Sequence, residues 1–395
     1  MSADAVIDID PGEAPLAHSD VLVIGGGQAG LSGAYYLEHF GLSDRYQLLD
    51  AAPRPGGAWQ FRWPTLTLAG TNRVHDLPGL GLVEALGEDE LHDGMVRASS
   101  AVPRYYELYE EKFGLTVRRP VRVRSVRRSD DGSLFLTRVT GSGAAARDDG
   151  AEFEITSKTI INATGTWERP FIPHVPGIEE FGGRQLHTHD YSGPSDFANK
   201  RVLVVGAGIS AVQLLIEIAR NAPGVQTFWT SRTEPSFGPA DFNPDRGREA
   251  VARVEERVRA GLPPTSVVSV TGLPLTPAIA AAREDGILAD WRPMFGRITP
   301  SGVAWDCGAL AGETLDVDVI FWNTGFRSSL DHLSPLRLRG PGGGIVMTGR
   351  LATTVADDPR IQLIGYGPSA STIGANRAGR EAARNVAEFL TGDDT

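Results

Sequence analysis

Cysteine is almost absent from this chain. Cys307 is the only thiol among 395 residues, so neither an internal disulfide nor a redox-active C-x-x-C pair can form. This excludes the reductases that pass electrons through a dithiol. A chain without disulfides is compatible with the reducing cytoplasm, where we expect it to reside. Cys307 stands alone between Asp306 and Gly308, and we expect a small buried hydrophobic side chain rather than a nucleophile.

Positive charge and long apolar runs are also scarce. The chain has 38 Lys and Arg against 49 Asp and Glu, a net charge of −11, which argues against nucleic acid or an anionic membrane as a partner. The arginines at 118–128 are interspersed with valine and predict the outward face of an antiparallel strand. No apolar run approaches the roughly 20 residues of a membrane span. Residues 1–18 are acidic, lack the pattern of a signal peptide and are expected to form a disordered lead.

Clustered metal ligands are lacking as well. His187 and His189 are followed by Asp190, a spacing that resembles a set of metal ligands. No further cluster of ligating residues accompanies them, and structural or catalytic metal sites need three or four ligands. We therefore expect no metal.

Glycine, in contrast, is abundant, and two glycine-rich turns dominate the sequence. Each follows an apolar run, at Val21–Ile24 and Val202–Val205, and each reads G-x-G-x-x-G/A before a helix-like segment. The first glycine of such a turn permits a sharp reversal, and the second lets the backbone approach a pyrophosphate. The third small residue lets helix and strand pack closely. Two such turns predict an α/β chain with two Rossmann-like dinucleotide-binding domains.

The first turn contains Gly25, Gly27 and Gly30, and an acidic residue follows it at the expected distance. A second predicted strand, Tyr46–Leu49, ends in Asp50, which lies 20 residues after Gly30. An acid in this position hydrogen-bonds the adenosine ribose of a dinucleotide. The alternative is an ordinary strand-to-helix turn with an incidental aspartate.

The second turn contains Gly206 and Gly208, and a basic residue follows it instead. The next predicted strand, Val225–Thr230, runs into Ser231 and Arg232. An arginine can pair with a 2′-phosphate that a carboxylate would repel, so the second cofactor is predicted to be NADPH rather than NADH. The alternative is a solvated surface arginine.

The order of predicted elements divides the chain into two interleaved units. Thr166–Gly177 has three prolines and no periodicity, which is typical of a connector. The apolar segment Ile361–Gly367 predicts a strand that returns to the first unit. We expect a first domain made of residues 19–165 and 326–395, with a second domain of residues 166–325 inserted into it.

At Phe181–Tyr191 the chain resembles a known family. This segment fits the fingerprint F-x-G-x-x-x-H-x-x-x-(Y/F) of the flavin-containing monooxygenases and their bacterial relatives, the class B flavoprotein monooxygenases. Baeyer–Villiger relatives usually end the fingerprint in Trp, whereas this chain has Tyr191, which favours heteroatom oxygenation. Further segments resemble that family: G-G-A-W at 56–59, T-N at 71–72, A-T-G at 163–165 and N-T-G-F at 323–326.

The resemblance implies a role for each segment. FAD would be bound by the first domain and NADPH by the second. The implied cofactor contacts are Gly25, Gly27, Gly30, Asp50, Gly57, Trp59, Gly165, His187, Gly206, Gly208, Ser210, Arg232, Gly325 and, at the start of the last helix, Ile373. Asn72 would be the catalytic residue that hydrogen-bonds the oxygenated flavin.

Structural alternatives remain for four of these assignments. Trp59 could plug the edge of a core, Asn72 could form a turn, and His187 could be a satisfied structural histidine. The last helix could simply be capped by Ser371 or Thr372.

The function implied by the resemblance is a monooxygenase reaction. NADPH would reduce the flavin, O2 would give a C4a-(hydro)peroxyflavin, and one oxygen atom would pass to a small N- or S-containing substrate. Three alternatives stay open: Baeyer–Villiger oxygenation of a ketone, an NAD(P)H-dependent flavin reductase or electron-transfer flavoprotein without oxygen insertion, and a ligand-sensing flavoprotein without turnover. The expected partners are O2 and the small-molecule substrate, with a homodimer left open.

Overall fold

The computed structural model describes residues 17–71, 74–91, 95–141, 152–238, 244–265 and 272–392. The strands in this part of the chain are β1 (His18–Ile24), β2 (Tyr46–Leu49), β3 (Val117–Arg118), β4 (Val121–Arg128), β5 (Phe135–Gly141), β6 (Glu152–Asn162), β7 (Arg184–His187), β8 (Arg201–Val205), β9 (Gln226–Ser231), β10 (Phe237–Gly238), β11 (Leu273–Pro274), β12 (Trp291–Pro293), β13 (Arg297–Thr299), β14 (Gly302–Ala304), β15 (Thr314–Asp316), β16 (Val319–Trp322), β17 (Met347–Thr348), β18 (Thr354–Val355) and β19 (Asp358–Leu363).

Eight α-helices lie in the described part of the chain. They are α1 (Gln28–His39), α2 (Leu82–Leu86), α3 (Glu88–Leu91), α4 (Ala98–Phe113), α5 (Ile209–Asn221), α6 (Pro244–Arg259), α7 (Pro277–Glu284) and α8 (Thr372–Gly392).

The first sheet joins strands from both ends of the described chain. Its main path is β17-β18-β19-β6-β1-β2-β3, and β4 and β5 attach through β6. β1 pairs in parallel with β2 and β6, and β19 pairs in parallel with β6. Because β19 comes from the last part of the chain, the first unit is discontinuous. The predicted fold class, α/β with two Rossmann-like units and a discontinuous first one, is confirmed.

The second sheet is made only of strands from the inserted part of the chain. Its order is β12-β9-β8-β16-β7, and its pairs are all parallel. β8, which leads into the second glycine turn, lies between β9 and β16. Its four valine and leucine side chains at positions 202–205 are buried at 0–2% exposure, as expected for a strand covered on both faces.

The chain crosses between the two sheets twice, and the crossings lie side by side. The Phe171 amide donates to the Gly325 carbonyl at 3.0 Å, the Arg327 amide to Arg169 at 2.8 Å, and the Ser329 amide to Gly165 at 2.9 Å. We therefore propose the boundaries predicted from the sequence, with the first domain at 19–165 and 326–395 and the second at 166–325.

Two local expectations need correction. Strand β1 begins at His18, inside the lead predicted for residues 1–18, because the His18 ring hydrogen-bonds Thr156 on the neighbouring strand at 2.8 Å. Residues 1–16 lie outside the described part. Cys307 is exposed, not buried, because it lies in the loop between β14 and β15.

The first and last helices cross with their backbones in close contact. A Cβ on Gly379 of α8 would lie 2.7 Å from Ser32 Oγ and 2.8 Å from the Gly33 amide nitrogen of α1. The Ser32 hydroxyl also donates to the Asn376 carbonyl at 3.1 Å. Glycine at 379 therefore lets α8 approach the helix that follows the first glycine turn.

We predict that Gly379→Ala destabilises the protein by about 1–3 kcal/mol, because the added methyl overpacks this crossing. In an unobstructed helix, alanine would instead be favoured over glycine by about 1 kcal/mol. Gly392→Ala is the matched control, since a Cβ there meets nothing within 4 Å. Urea unfolding of both variants measures the difference, and equal effects would contradict the packing argument.

Candidate active site

The first glycine turn adopts a backbone that other residues cannot fit. Gly25 has φ +109°, and a Cβ there would lie 2.5 Å from the Ala163 carbonyl oxygen. A Cβ on Gly30 would lie 1.8 Å from the Gly25 carbonyl oxygen. The turn is therefore pressed between the end of β6 and its own helix, and side chains at these positions would push them apart.

The middle glycine of this turn borders an open space. Gly27 precedes α1, and no side chain caps the helix. Among the described residues outside its own turn and helix, the one atom within 4 Å of a Cβ at Gly27 is the Gly57 Cα, at 3.9 Å. Gly57 itself has φ +50°, and a Cβ there would lie 2.9 Å from the Gly27 Cα. The backbones of Gly27 and Gly57 thus face each other with no side chain of either residue between them. The free amides of the first turn of α1 suit a phosphate.

Asp50 lies at the end of β2 in a buried ionic cluster that sequence reasoning missed. Its Oδ2 accepts from Arg119 Nε at 3.1 Å, and Arg119 also donates twice to Glu110, at 2.7 Å each. The three side chains are only 9–11% exposed. Burial raises the pKa of Glu110 even though Arg119 opposes the shift. Arg119 therefore holds the Asp50 carboxylate beside the turn, where a Cβ on Gly26 would come within 2.8 Å of both partners.

This position of Arg119 differs from the one expected for the arginines at 118–128. Arg122, Arg124 and Arg127 are exposed and outward-facing, as their alternation with valine predicts. Arg119 precedes β4 and turns inward instead. Its carboxylate partners, Asp50 and Glu110, lie outside the 118–128 segment, so alternation within the segment gave no signal of the cluster.

The second glycine turn repeats the geometry of the first. Gly206 has φ +146°, and a Cβ there would lie 2.3 Å from the Asn323 carbonyl oxygen. Gly208 precedes α5. Among the described residues, no side chain caps this helix and a Cβ on Gly208 would meet no atom within 4 Å. Ser210 lies half-buried in the first turn of that helix, and Arg232 is exposed just after β9. This open, uncapped helix start also suits a phosphate.

His187 is satisfied within the chain. Its Nε2 lies 3.0 Å from the Gly325 carbonyl oxygen, and its Nδ1 accepts from the His189 amide at 3.1 Å. Burial lowers the pKa of His187, so the ring is neutral with its proton on Nε2. The ring also meets Phe326 edge-on, with centroids 5.0 Å apart. In this conformation His187 fixes the second crossing at Gly325.

The crossing glycines border open space. Gly165 and Gly325 have φ +61° and +78°, and a Cβ on either would meet nothing within 4 Å. On the first-domain side, the Asn162 carboxamide oxygen contacts His332 Nε2 at 2.7 Å. Burial lowers the pKa of His332 to about 4, so this contact also involves a neutral ring at neutral pH.

Gln28, the first residue of α1, joins three parts of the first domain. Its Nε2 donates to the His75 carbonyl at 3.0 Å and to Asn376 Oδ1 at 2.9 Å, and its Oε1 accepts from the Tyr106 hydroxyl at 2.5 Å. These bonds bring the start of α8 next to the first glycine turn. Sequence reasoning treated Gln28 only as a variable position in the turn.

Three candidate residues from the sequence remain: Trp59, Ile373 and Asn72. Trp59 is partly buried and packs against the cores of both domains. Ile373 is 51% exposed at the start of α8, where the Ser371 hydroxyl accepts from the Gly374 amide at 3.1 Å. Asn72 lies outside the described residues. The Gly70 carbonyl, two positions before it, accepts from Gln213 Nε2 of α5 at 2.7 Å.

Two other kinds of site are missing from the described ranges. No group of three or more His, Cys, Asp or Glu residues there could hold a metal ion. None of the helices described is both long and apolar enough to cross a bilayer.

Known proteins resemble this chain over these same elements. The family model described as pyridine nucleotide-disulphide oxidoreductase matches residues 22–240. The structure of a flavin-containing monooxygenase from Stenotrophomonas maltophilia is 32% identical, with a TM-score of 0.75, over 95% of this chain and 100% of that one. The structure of the OTEMO complex with FAD and NADP is 15% identical, with a TM-score of 0.61 over 98% of this chain and 86% of that one. That second likeness shows the fold alone.

A curated relative matches a smaller region. Senecionine N-oxygenase of Tyria jacobaeae is 27% identical over 242 residues, which is 57% of this chain and 51% of that protein. The chain thus spans about half the length of the curated relatives it matches first.

We predict that Arg119→Met destabilises the protein by about 3–5 kcal/mol, because it leaves two buried carboxylates without their cation. Arg127→Met is the matched control, since Arg127 pairs with Glu154 on the surface at 3.1 Å and such pairs contribute about 0–1 kcal/mol. Denaturant unfolding compares the two variants. A loss for Arg119→Met no larger than that of the control would show that the cluster does not stabilise the fold.

Proposed function

Because the chain belongs to the flavin-containing monooxygenases, within the pyridine nucleotide-disulphide oxidoreductase family, we propose that it is an NADPH- and O2-dependent flavin monooxygenase. Its proposed substrate is a small N- or S-containing compound. Membership of the family supports a flavin monooxygenase, and the two glycine turns support the binding of two dinucleotides. The choice of NADPH and the class of substrate are proposed in addition.

One observation carries the proposal: two uncapped helices begin at open glycines, and both turns rest against the crossings. Gly27 and Gly208 each leave room beside a helix N-terminus. The residues present therefore fit the pyrophosphates of FAD at the first turn and NADPH at the second. Bound there, FAD would accept a hydride from NADPH and supply the oxygen chemistry.

The single cysteine limits the reactions that can come after hydride transfer. A dithiol within the chain cannot accept the electrons, because Cys307 is its only thiol. Electrons that enter through a nicotinamide therefore need another acceptor, and O2 is the one that monooxygenases use. This favours oxygenation over thiol–disulfide exchange.

The chain's own residues would bind and orient the two cofactors and shield the flavin. Gly27 would let the FAD pyrophosphate approach the backbone, Gly57 would allow close approach of the isoalloxazine, and Trp59 would cover the flavin. Asn72 would donate a hydrogen bond at the reacting face. His187 would keep the second crossing in place, and Arg232 would neutralise the 2′-phosphate of NADPH.

The preference for a heteroatom substrate rests on resemblance to an N-oxygenase. Tyr191, the residue that ends the fingerprint, stacks on Phe197 and Phe321 with centroids 5.8 and 5.6 Å away. It is 4% exposed. A tyrosine here acts through the packing of the second domain rather than through contact with a substrate.

The test is a stoichiometry measurement on the FAD-loaded protein. NADPH oxidation, O2 uptake and peroxide release are followed with a thioether, a tertiary amine and a ketone, and products are identified by mass spectrometry. We expect one oxygen atom in the thioether or amine product for each NADPH oxidised. An ester from the ketone alone would replace this function with Baeyer–Villiger oxygenation. NADPH oxidation without any oxygenated product would replace it with a flavin reductase.

We predict that Arg232→Gln raises the KM for NADPH by about tenfold or more, since a charge-assisted hydrogen bond to phosphate contributes about 1.5–3 kcal/mol. The KM for NADH should stay unchanged, because NADH has no 2′-phosphate. Arg220→Gln serves as the control, because Arg220 is an exposed arginine of α5 paired with Asp285 at 2.7 Å. Equal rises for both coenzymes would show that Arg232 does not recognise the phosphate.

A further inference from the structure

Arg62 is a half-buried cation without a counter-charge in the described part of the chain. Its Nε is inaccessible to solvent and donates no hydrogen bond. No carboxylate lies within ion-pairing distance of Arg62 among the described residues. Burial lowers the pKa of Arg62 to about 10, which leaves it charged at neutral pH.

This isolation costs free energy, because the inaccessible Nε–H lacks an acceptor among the described residues and a partly desolvated charge is stabilised by a partner. The chain supplies partners elsewhere: the buried Arg119 has both Asp50 and Glu110. Arg62 instead has only aromatic faces. Its guanidinium carbon lies 4.7 Å from the Trp167 ring centroid and 5.6 Å from that of Trp59.

Those two rings place Arg62 between the two proposed domains. Trp59 follows Gly57, which faces the first glycine turn across backbone only. Trp167 follows the first crossing at Gly165 and stacks on Phe326 of the second crossing, with centroids 5.0 Å apart. The arginine thus lies beside both crossings and belongs to neither helix N-terminus.

We propose that Arg62 binds an anionic oxygen group of a ligand, a phosphate or a carboxylate, at the junction of the two domains. The source is either a phosphate of the nicotinamide dinucleotide or the carboxylate of an acidic substrate. The α5 helix start and Arg232 already account for the phosphates of NADPH in the proposed function. A phosphate at Arg62 is therefore the pyrophosphate shared with the helix amides, whereas a substrate carboxylate is an additional anionic group. The inference rests on the proposed function for the identity of these two ligands. The unpaired charge itself does not depend on that function.

If Arg62 had a purely structural role, its cation–π contacts with two tryptophans would stabilise the folded chain. Removing the charge would then destabilise the fold. If the charge is kept for a ligand, a neutral side chain of similar length should be tolerated or favoured in the absence of that ligand.

The experiment compares Arg62→Met with Arg283→Met. Arg283 is exposed and lies 4.9 Å from the Phe237 ring centroid, so it matches the cation–π contact without the buried charge. Thermal unfolding of the FAD-loaded protein, without NADP+ and in chloride buffer, is measured first. We expect Arg62→Met to raise the unfolding temperature by about 2 °C or more, whereas Arg283→Met leaves it unchanged or slightly lower.

Ligand binding is then titrated through the flavin absorbance, which requires no turnover. The probes are NADP+, 3-(methylthio)propionate and the methyl ester of that acid. A rise of about tenfold or more in the Kd for NADP+ in Arg62→Met identifies the phosphate as the group bound. An unchanged Kd for NADP+ with a similar loss for the acid, but not for the ester, identifies a carboxylate.

Unchanged affinities for all three probes, or an unfolding temperature that falls further than in Arg283→Met, would overturn the proposal. Because these readouts are binding and unfolding, a failure to oxygenate any substrate would count against the proposed function and leave this test intact.

Discussion

The structure depends on two close backbone contacts, each between a glycine turn and the end of a strand. Gly25 rests against the Ala163 carbonyl, and Gly206 rests against the Asn323 carbonyl. Each of those carbonyls lies two residues before a crossing glycine, Gly165 or Gly325. The glycine turns and the crossings between the two sheets are therefore packed on each other, in the same way in both halves. A side chain at either turn would displace both the turn and the connection between the sheets.

Two neutral histidines also hold the crossings in place. His187 contacts the Gly325 carbonyl, and His332 contacts Asn162 just before the first crossing. Burial lowers the pKa of both rings, so neither brings a charge into the junction. The ionic cluster around Arg119 is likewise balanced by two carboxylates. Arg62, in contrast, has no carboxylate partner among the described residues.

The same geometry explains how a member of a disulphide oxidoreductase family can dispense with a dithiol. In the proposed function, the two open helix starts would bind two dinucleotides, and close packing at the crossings brings the two sheets together. Chemistry between bound cofactors then needs no reactive protein thiol. Trp59 and Gln28 would supply cover and position rather than a nucleophile.

The sequence by itself determined the two turns, the α/β class and the return of the chain to its first sheet. These features follow from local chemistry: a glycine motif between a strand and a helix needs only its own neighbours to form. The last strand and helix were also visible as an apolar segment and a periodic one.

Only the tertiary structure decided which side chains meet. Arg119 pairs with Asp50 across 69 positions, and Gln28 reaches Asn376 across 348. The exposure of Cys307 and the core position of Tyr191 were equally invisible in sequence, and only the structure decided between the two roles left open for His187. Their surroundings are built from segments far apart in the chain, and local pattern has no information on which of those segments the fold brings together.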